Sequence, residues 1–116
     1  MNKQNNSKVI GRKSESLAID WLKNRGYSIV KTNYTTPYGE ADIIAKQGDI
    51  TVFVEVKSAI GQNPIESVTA SKMKKIRNIA LYYMQRLGLE VPIRFDVITI
   101  VVNEKDLEIK HLVDAF

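Results

Sequence analysis

A chain of 116 residues without cysteine has no disulfide framework and no thiolate metal site, and it is long enough to bury the core of one domain unaided. The formal charge is +4, yet Lys3, Lys8, Arg12 and Lys13 all precede the first acidic residue, Glu15, and the rest balances at 13 basic and 13 acidic residues. Global charge therefore gives only a modest tilt toward nucleic acid. No apolar run approaches membrane-spanning length and no signal-peptide pattern opens the chain, so the expectation is a cytoplasmic protein without a membrane partner.

Residues 1–7 are polar and are expected to form a disordered basic arm, with residues 8–116 as a single domain. A helix is expected to begin between Ser7 and Ser14 and to stop at Gly26, with Leu17, Ala18, Trp21 and Leu22 as its apolar stripe. Glu15 lies at the edge of that stripe, where a first-turn carboxylate has a simple role opposite the helix N-terminus. Tyr27 to Tyr34 reads as a strand and Thr35 to Gly39 as a turn.

Two runs of branched apolar residues then flank Gly48-Asp49, a pair suited to a tight hairpin. That loop sets Gln47 against Ile50, and Ala45, Ile43 and Ala41 against Val52, Val54 and Val56, making one wholly apolar face. The other face pairs Ile44 with Phe53, Asp42 with Glu55 and Glu40 with Lys57. Like charges directly opposite are destabilising. Carboxylates ~4 Å apart repel by ~1 kcal/mol in water and ~4 kcal/mol in a partly buried site. A hard divalent cation held by oxygen ligands reverses that sign, and Lys57 adds a cationic donor on the same face. A solvated strand of mixed charge is the bland alternative; Ile44 and Phe53 beside the acids argue against full solvation.

After a loop at Ile60-Gly61-Gln62, Asn63-Pro64-Ile65-Glu66 has the order of a helix start, and the helix could run to Leu87 before Gly88, as one piece or two. Val68, Ile76, Ile79, Ala80, Tyr83 and Leu87 would form its inner stripe. Lys72 shares that row, where a lysine either snorkels outward or points into the acidic face, with Thr69 one turn earlier on the same side. Lys74, Lys75 and Arg77 form a basic patch open to two readings, phosphate contact or a solvated helix face. Pro92–Val102 and Leu107–Val113 are two further strands, in which Arg94 and Asp96 share a face and His111 alternates with Ile109 and Val113 as a structural residue.

The order α-β-β-β-α-β-β specifies an α/β domain with a mixed sheet flanked by helices. Asp42 followed thirteen residues later by Glu55-Val56-Lys57 resembles the PD-(D/E)xK nuclease signature. More closely, the chain resembles the small bacterial YraN-like family of predicted endonucleases, distantly similar to archaeal Holliday-junction resolvases. The likeness is carried in order by Gly11-x-x-x-Glu15-x-x-Ala18, Asn33-Tyr34, Gly39 to Ala45, Val52 to Lys57, Val68-Thr69-x-x-Lys72, Arg94 to Val97 and Ala115-Phe116.

That resemblance implies a restriction-endonuclease-like core and a Mg²⁺- or Mn²⁺-dependent endonuclease acting on nucleic acid, DNA before RNA. It makes Asp42 and Glu55 metal ligands, Glu15 a third acidic residue at the same cleft, and Lys57 the residue that orients or deprotonates the attacking water or polarises the phosphate. Lys72 and Thr69 would contact phosphate, beside the patch of Lys74, Lys75 and Arg77. The related resolvases imply a homodimer that prefers branched or flapped DNA. Thr35 stands where the family usually has arginine, and Ser58-Ala59 where it has Thr-Arg. Those losses favour the alternative of a non-catalytic nucleic-acid-binding module that keeps the nuclease fold.

Overall fold

The computed structural model describes residues 3–60 and 69–115. The chain runs α1 (Lys3–Asn24), β1 (Ser28–Thr36), β2 (Gly39–Gln47), β3 (Ile50–Ile60), α2 (Ala70–Leu87), β4 (Ile93–Val102) and β5 (Leu107–Leu112). The strands lie in sequence order in a five-stranded sheet. β3 and β4 are parallel and the other neighbours antiparallel. A parallel pair requires a crossover, and α2 lies in it. With α1 on one face and α2 on the other, this is the expected α/β fold, consistent with a restriction-endonuclease-like core. Among the described residues no helix is long and apolar enough to cross a membrane.

Gly26 ends α1 by adopting φ +85°, so that its own N–H reaches Lys23 O at 3.1 Å and the Tyr27 N–H reaches Leu22 O at 3.0 Å. The helix starts at Lys3, upstream of the expected Ser7–Ser14, and the span read as an arm is helical from Lys3 onward. Once a packed segment has nucleated, propagation through weak formers such as Asn5 and Asn6 costs little. α2 starts after Thr69, whose hydroxyl accepts the Lys72 N–H at 3.3 Å as N-cap. The helix start read at Asn63-Pro64-Ile65-Glu66 lies outside the described residues. Leu87, expected on the inner stripe, falls one turn beyond Tyr83, outside the packed cluster, and is 49% exposed.

Two cores follow from the alternation of side chains along the strands. Ala18 and Leu22 of α1 pack with Tyr27, Ile43, Ala45, Val52, Val54, Ile98 and Ile100 on one face. Ile76, Ile79 and Ala80 of α2 pack with Ala41, Ile44 and Phe53 on the other. Each fully buried large side chain contributes about 1.5–3 kcal/mol. The hairpin has the expected register from Gln47↔Ile50 to Ile43↔Val54, with Gly48 at φ +59°.

There the ladder stops. The expected Asp42–Glu55, Ala41–Val56 and Glu40–Lys57 pairs do not continue it, and Ala41 lies on the α2 face instead of beside Ile43. The cause is local. Opposite this point, Asn33 sits between the pairs Thr32↔Ile43 and Tyr34↔Ala41 with φ +52°, a left-handed conformation that asparagine tolerates. The Val56 N–H meanwhile donates to Asp42 Oδ2 at 2.8 Å.

Asp96 of β4 is fully buried on the α1 face. It accepts from Arg94 Nε and Nη2 at 2.9 and 2.8 Å, and from the Asp114 N–H at 3.0 Å. His111 Nε2 lies 2.8 Å from it. The Trp21 indole donates to His111 Nδ1 at 3.3 Å, so Nε2 carries the imidazole hydrogen and donates to Asp96. Arg94 goes on to Tyr27 Oη and Gln47 Oε1, each at 2.7 Å. Burial pushes the Asp96 carboxyl up, but the hydrogen bonds from His111, Arg94 and the Asp114 amide more than offset it and hold the group at about 2. The sequence reading of His111 as structural, and of Arg94 and Asp96 on one face, agrees with this network.

Candidate functional site

Where the ladder opens, Asp42 of β2 and Glu55 and Lys57 of β3 line one cleft with Lys72 and Lys75 of α2. Strand alternation sends Phe53, Glu55 and Lys57 to the α2 face. Helical spacing of three, four and seven aligns Lys72, Lys75, Ile76 and Ile79 as the opposite wall. Glu40 and Ala41 complete it. The cleft holds about 240 Å³ and is open, small for an enclosed organic ligand and ample for a hydrated cation and a phosphate group.

Asp42 is raised above the usual aspartate value. Burial is the main cause, opposed by the Val56 amide and Lys57 and reinforced by the charges of Glu55 and Glu15. Opposed carboxylates were expected to repel, and Glu55 does raise Asp42, but loss of solvent counts for more. Lys57 Nζ pairs with Glu55 Oε1 at 2.8 Å, and both side chains are 22% exposed. Burial pulls Lys57 down, and its hydrogen bonds with Glu55 and Lys72, together with the Glu55 and Asp42 charges, lift it to a net rise. Lys72 is lowered, first by its contact with the Lys57 ammonium, since two adjacent cations disfavour each other.

The remaining sequence candidates separate. Glu15 comes from α1 and accepts from Asn33 Nδ2 at 2.8 Å, in a depression of its own with Ser16, Ile19 and Asn33; only its charge reaches Asp42. Thr69 caps α2 through its hydroxyl oxygen. Lys74 and Arg77 are exposed and do not line the cleft, whereas Lys75 does. The helical period distinguishes them, because Lys75 is three residues after Lys72 and four before Ile79. Lys75 also runs across Gly39, where a Cβ would collide with its Cε and where φ is +133°, so glycine is required there. Glu40 and Asn33 were missed: one lines the cleft and the other holds Glu15.

Among the described residues no three Asp, Glu, His or Cys side chains converge as a ready-made metal cluster. Two carboxylates nevertheless suit Mg²⁺ or Mn²⁺, since Mg²⁺ keeps several waters and is commonly bound by one or two carboxylates together with substrate phosphate. Asp42 and Glu55 fit that description, and an added cation would oppose both the burial and the Glu55 and Glu15 charges that raise Asp42.

A family model described as "Uncharacterised protein family UPF0102" matches residues 14–100. A UPF0102 protein of Thermodesulfovibrio yellowstonii is 44% identical over 110 residues, covering 92% of this chain and 95% of that one. One from Thermotoga neapolitana is 47% identical over 90 residues, covering 77% and 84%. Another, from Clostridioides difficile, is 43% identical over 115 residues, covering 96% and 99%.

Proposed function

We propose that this chain, which belongs to the UPF0102 family, is a divalent-metal-dependent endonuclease of the PD-(D/E)xK type that hydrolyses phosphodiester bonds in DNA. The observation that carries the reading is the meeting of Asp42, Glu55 and Lys57 in one cleft whose far wall presents Lys72 and Lys75. Mg²⁺ or Mn²⁺ held by Asp42 and Glu55 would supply positive charge against the phosphate oxygens and acidify a neighbouring water. Lys57, oriented by Glu55, would direct that water or donate to a phosphate oxygen. Lys72 and Lys75 would grip the phosphate, and Thr69 would donate the hydroxyl hydrogen that capping leaves unused. Glu15, held by Asn33, would act on the cation through water. A homodimer acting on branched or flapped DNA belongs to the same proposal, because two sites gain from effective concentration only on a substrate that spans both.

A second reading, a nucleic-acid-binding module that cuts nothing, draws on the Lys57–Glu55 pair, which already engages a carboxylate oxygen that a cation would use. Calorimetric Mn²⁺ titration of the wild type and Asp42→Ala, followed by a metal-dependent cleavage screen over single-stranded, duplex, flapped and four-way DNA, tests both. Binding lost in Asp42→Ala together with cleavage supports the nuclease. DNA binding without cleavage in either metal supports the module. Neither metal nor DNA binding overturns both.

A further inference from the structure

The turn between β1 and β2 displays Tyr38, which is 54% exposed. It is rigidly held. The Thr36 hydroxyl donates to Gly39 O at 2.8 Å and accepts the Tyr38 N–H at 3.0 Å, and Pro37 fixes the preceding backbone angle.

Behind Tyr38 the rings form a continuous series into the core. Tyr38 meets Tyr82 edge-on at 6.3 Å between centroids, and Tyr82 lies 6.4 Å from Tyr34. Tyr34 meets Tyr83 at 5.7 Å, and Tyr83 meets the buried Phe53 at 5.7 Å. Cations sit along the series: Arg86 Cζ is 6.0 Å from the centre of the Tyr82 ring and Lys31 Nζ 5.9 Å from that of Tyr34. Packing alone explains the inner rings. It does not explain a tyrosine more than half in solvent at the tip of a pinned turn, against a ring that itself carries a cation.

The position relative to the cleft gives the turn its meaning. Gly39, the next residue, lies under the Lys75 side chain, and Lys75 and Glu40 both line the acidic cleft. A strand whose phosphate is held by Lys75 would therefore pass the Gly39 end of the turn, where Tyr38 is the adjoining aromatic residue. In a duplex a base passing there is stacked on its neighbours and unavailable; in a single strand or flap its face is open. Aromatic rings interleaved with cations bind such strands with little regard to sequence, because every base offers a π-face.

We infer that Tyr38, backed by Tyr82 and Tyr34 and flanked by Lys31, Arg86 and Lys75, is a stacking platform for an unpaired nucleobase next to the acidic cleft. The inference rests on the proposed nucleic-acid function and narrows its substrate to DNA with a single-stranded segment.

The test is fluorescence anisotropy in EDTA, so that no strand is cut. It uses a labelled single strand of about 16 nucleotides, an abasic strand of equal length and a blunt duplex. Tyr38→Ala is expected to weaken single-strand binding about tenfold and to leave duplex binding within about twofold, while Tyr38→Phe, which keeps the ring, binds as the wild type does. The wild type is expected to bind the abasic strand about tenfold more weakly than the base-bearing one, a comparison that needs no variant to fold. Equal single-strand affinity for Tyr38→Ala and wild type, or equal affinity of the wild type for abasic and base-bearing strands, overturns the platform. If the wild type still binds or cleaves duplex DNA in that case, the proposed function stands without it. A wild type that binds none of the three probes, and cleaves no DNA in the Mg²⁺ and Mn²⁺ screen, ends both.

Discussion

The carboxylate of Asp42 accepts the backbone N–H of Val56 at 2.8 Å, taking over an acceptor position where the β2–β3 ladder has ended. One residue thereby satisfies the amide that the ended ladder leaves free and lines the cleft with the same side chain. A candidate metal ligand and the strand geometry that exposes it are the same side chain.

Because the folded-state value of Asp42 is raised, chiefly by burial, its protonated form favours the fold. That contribution is complete below the ordinary aspartate value and is lost as pH rises through the raised one, so at neutral pH the ionised group costs stability. Asn at this position keeps an oxygen for the Val56 amide and carries no charge. Metal-free Asp42→Asn should have a urea midpoint at pH 7 equal to or above that of the wild type, with the advantage gone at pH 3. A lower midpoint at pH 7 would contradict this account.

Glu55→Gln removes a proposed cation ligand and one half of a partly exposed ion pair. Loss of that pair should change metal-free stability by no more than about 1 kcal/mol. Mn²⁺ affinity, read by calorimetry, should fall about tenfold or more. A variant that unfolds without metal would make Glu55 a structural partner and sink its assignment as a ligand.

Asp96 behaves in the opposite way to Asp42. Its folded value, about 2, lies below the ordinary 3.8, so its contribution is present above pH 4 and disappears as pH falls toward 2. That shift corresponds to roughly 2 kcal/mol. Asp96→Ala, which leaves Arg94 buried against no anion, should cost about 3–5 kcal/mol in denaturant unfolding. The acid limb of the wild-type stability curve should flatten in Asp96→Asn.

If the proposed dimer on branched DNA is right, sedimentation at micromolar concentration gives twice the chain mass, and affinity for a four-way or flapped substrate exceeds that for linear duplex and drops steeply with salt. A monomer with equal affinity for both substrates removes this part of the proposal and leaves the metal chemistry standing.

The hairpin register was legible because Gly48-Asp49 and strict alternation around it leave one arrangement that separates charge from apolar surface. The position of Ala41 was not, because the break in alternation comes from Asn33 on a neighbouring strand and from a side chain replacing a backbone acceptor. Alternation is a local rule and cannot register either. Lys75 was within reach: the spacing that placed Lys72 in the inner row places Lys75 there too, but Lys74, Lys75 and Arg77 were read together as one patch. The role of Thr69 as a cap was hidden by a stronger helix-start pattern at Asn63. Glu55 and Lys57 followed from their neighbours on β3, where alternation holds throughout.

The Asp96 network ties the last strand to the rest of the fold. The donors to its carboxylate, Arg94, His111 and the Asp114 amide, come from β4, β5 and the residues just after, and Trp21 reaches the same network through His111 across 90 residues. An intermediate that has formed β4 without β5 lacks the His111 and Asp114 donors, and its Asp96 stays hydrated. The start of β4 therefore stays wet until the last strand docks. β5 reaches β4 across a short turn, so its detachment is a local opening that lets water back to a buried carboxylate, and the C-terminal strand guards the sheet against fraying from that edge.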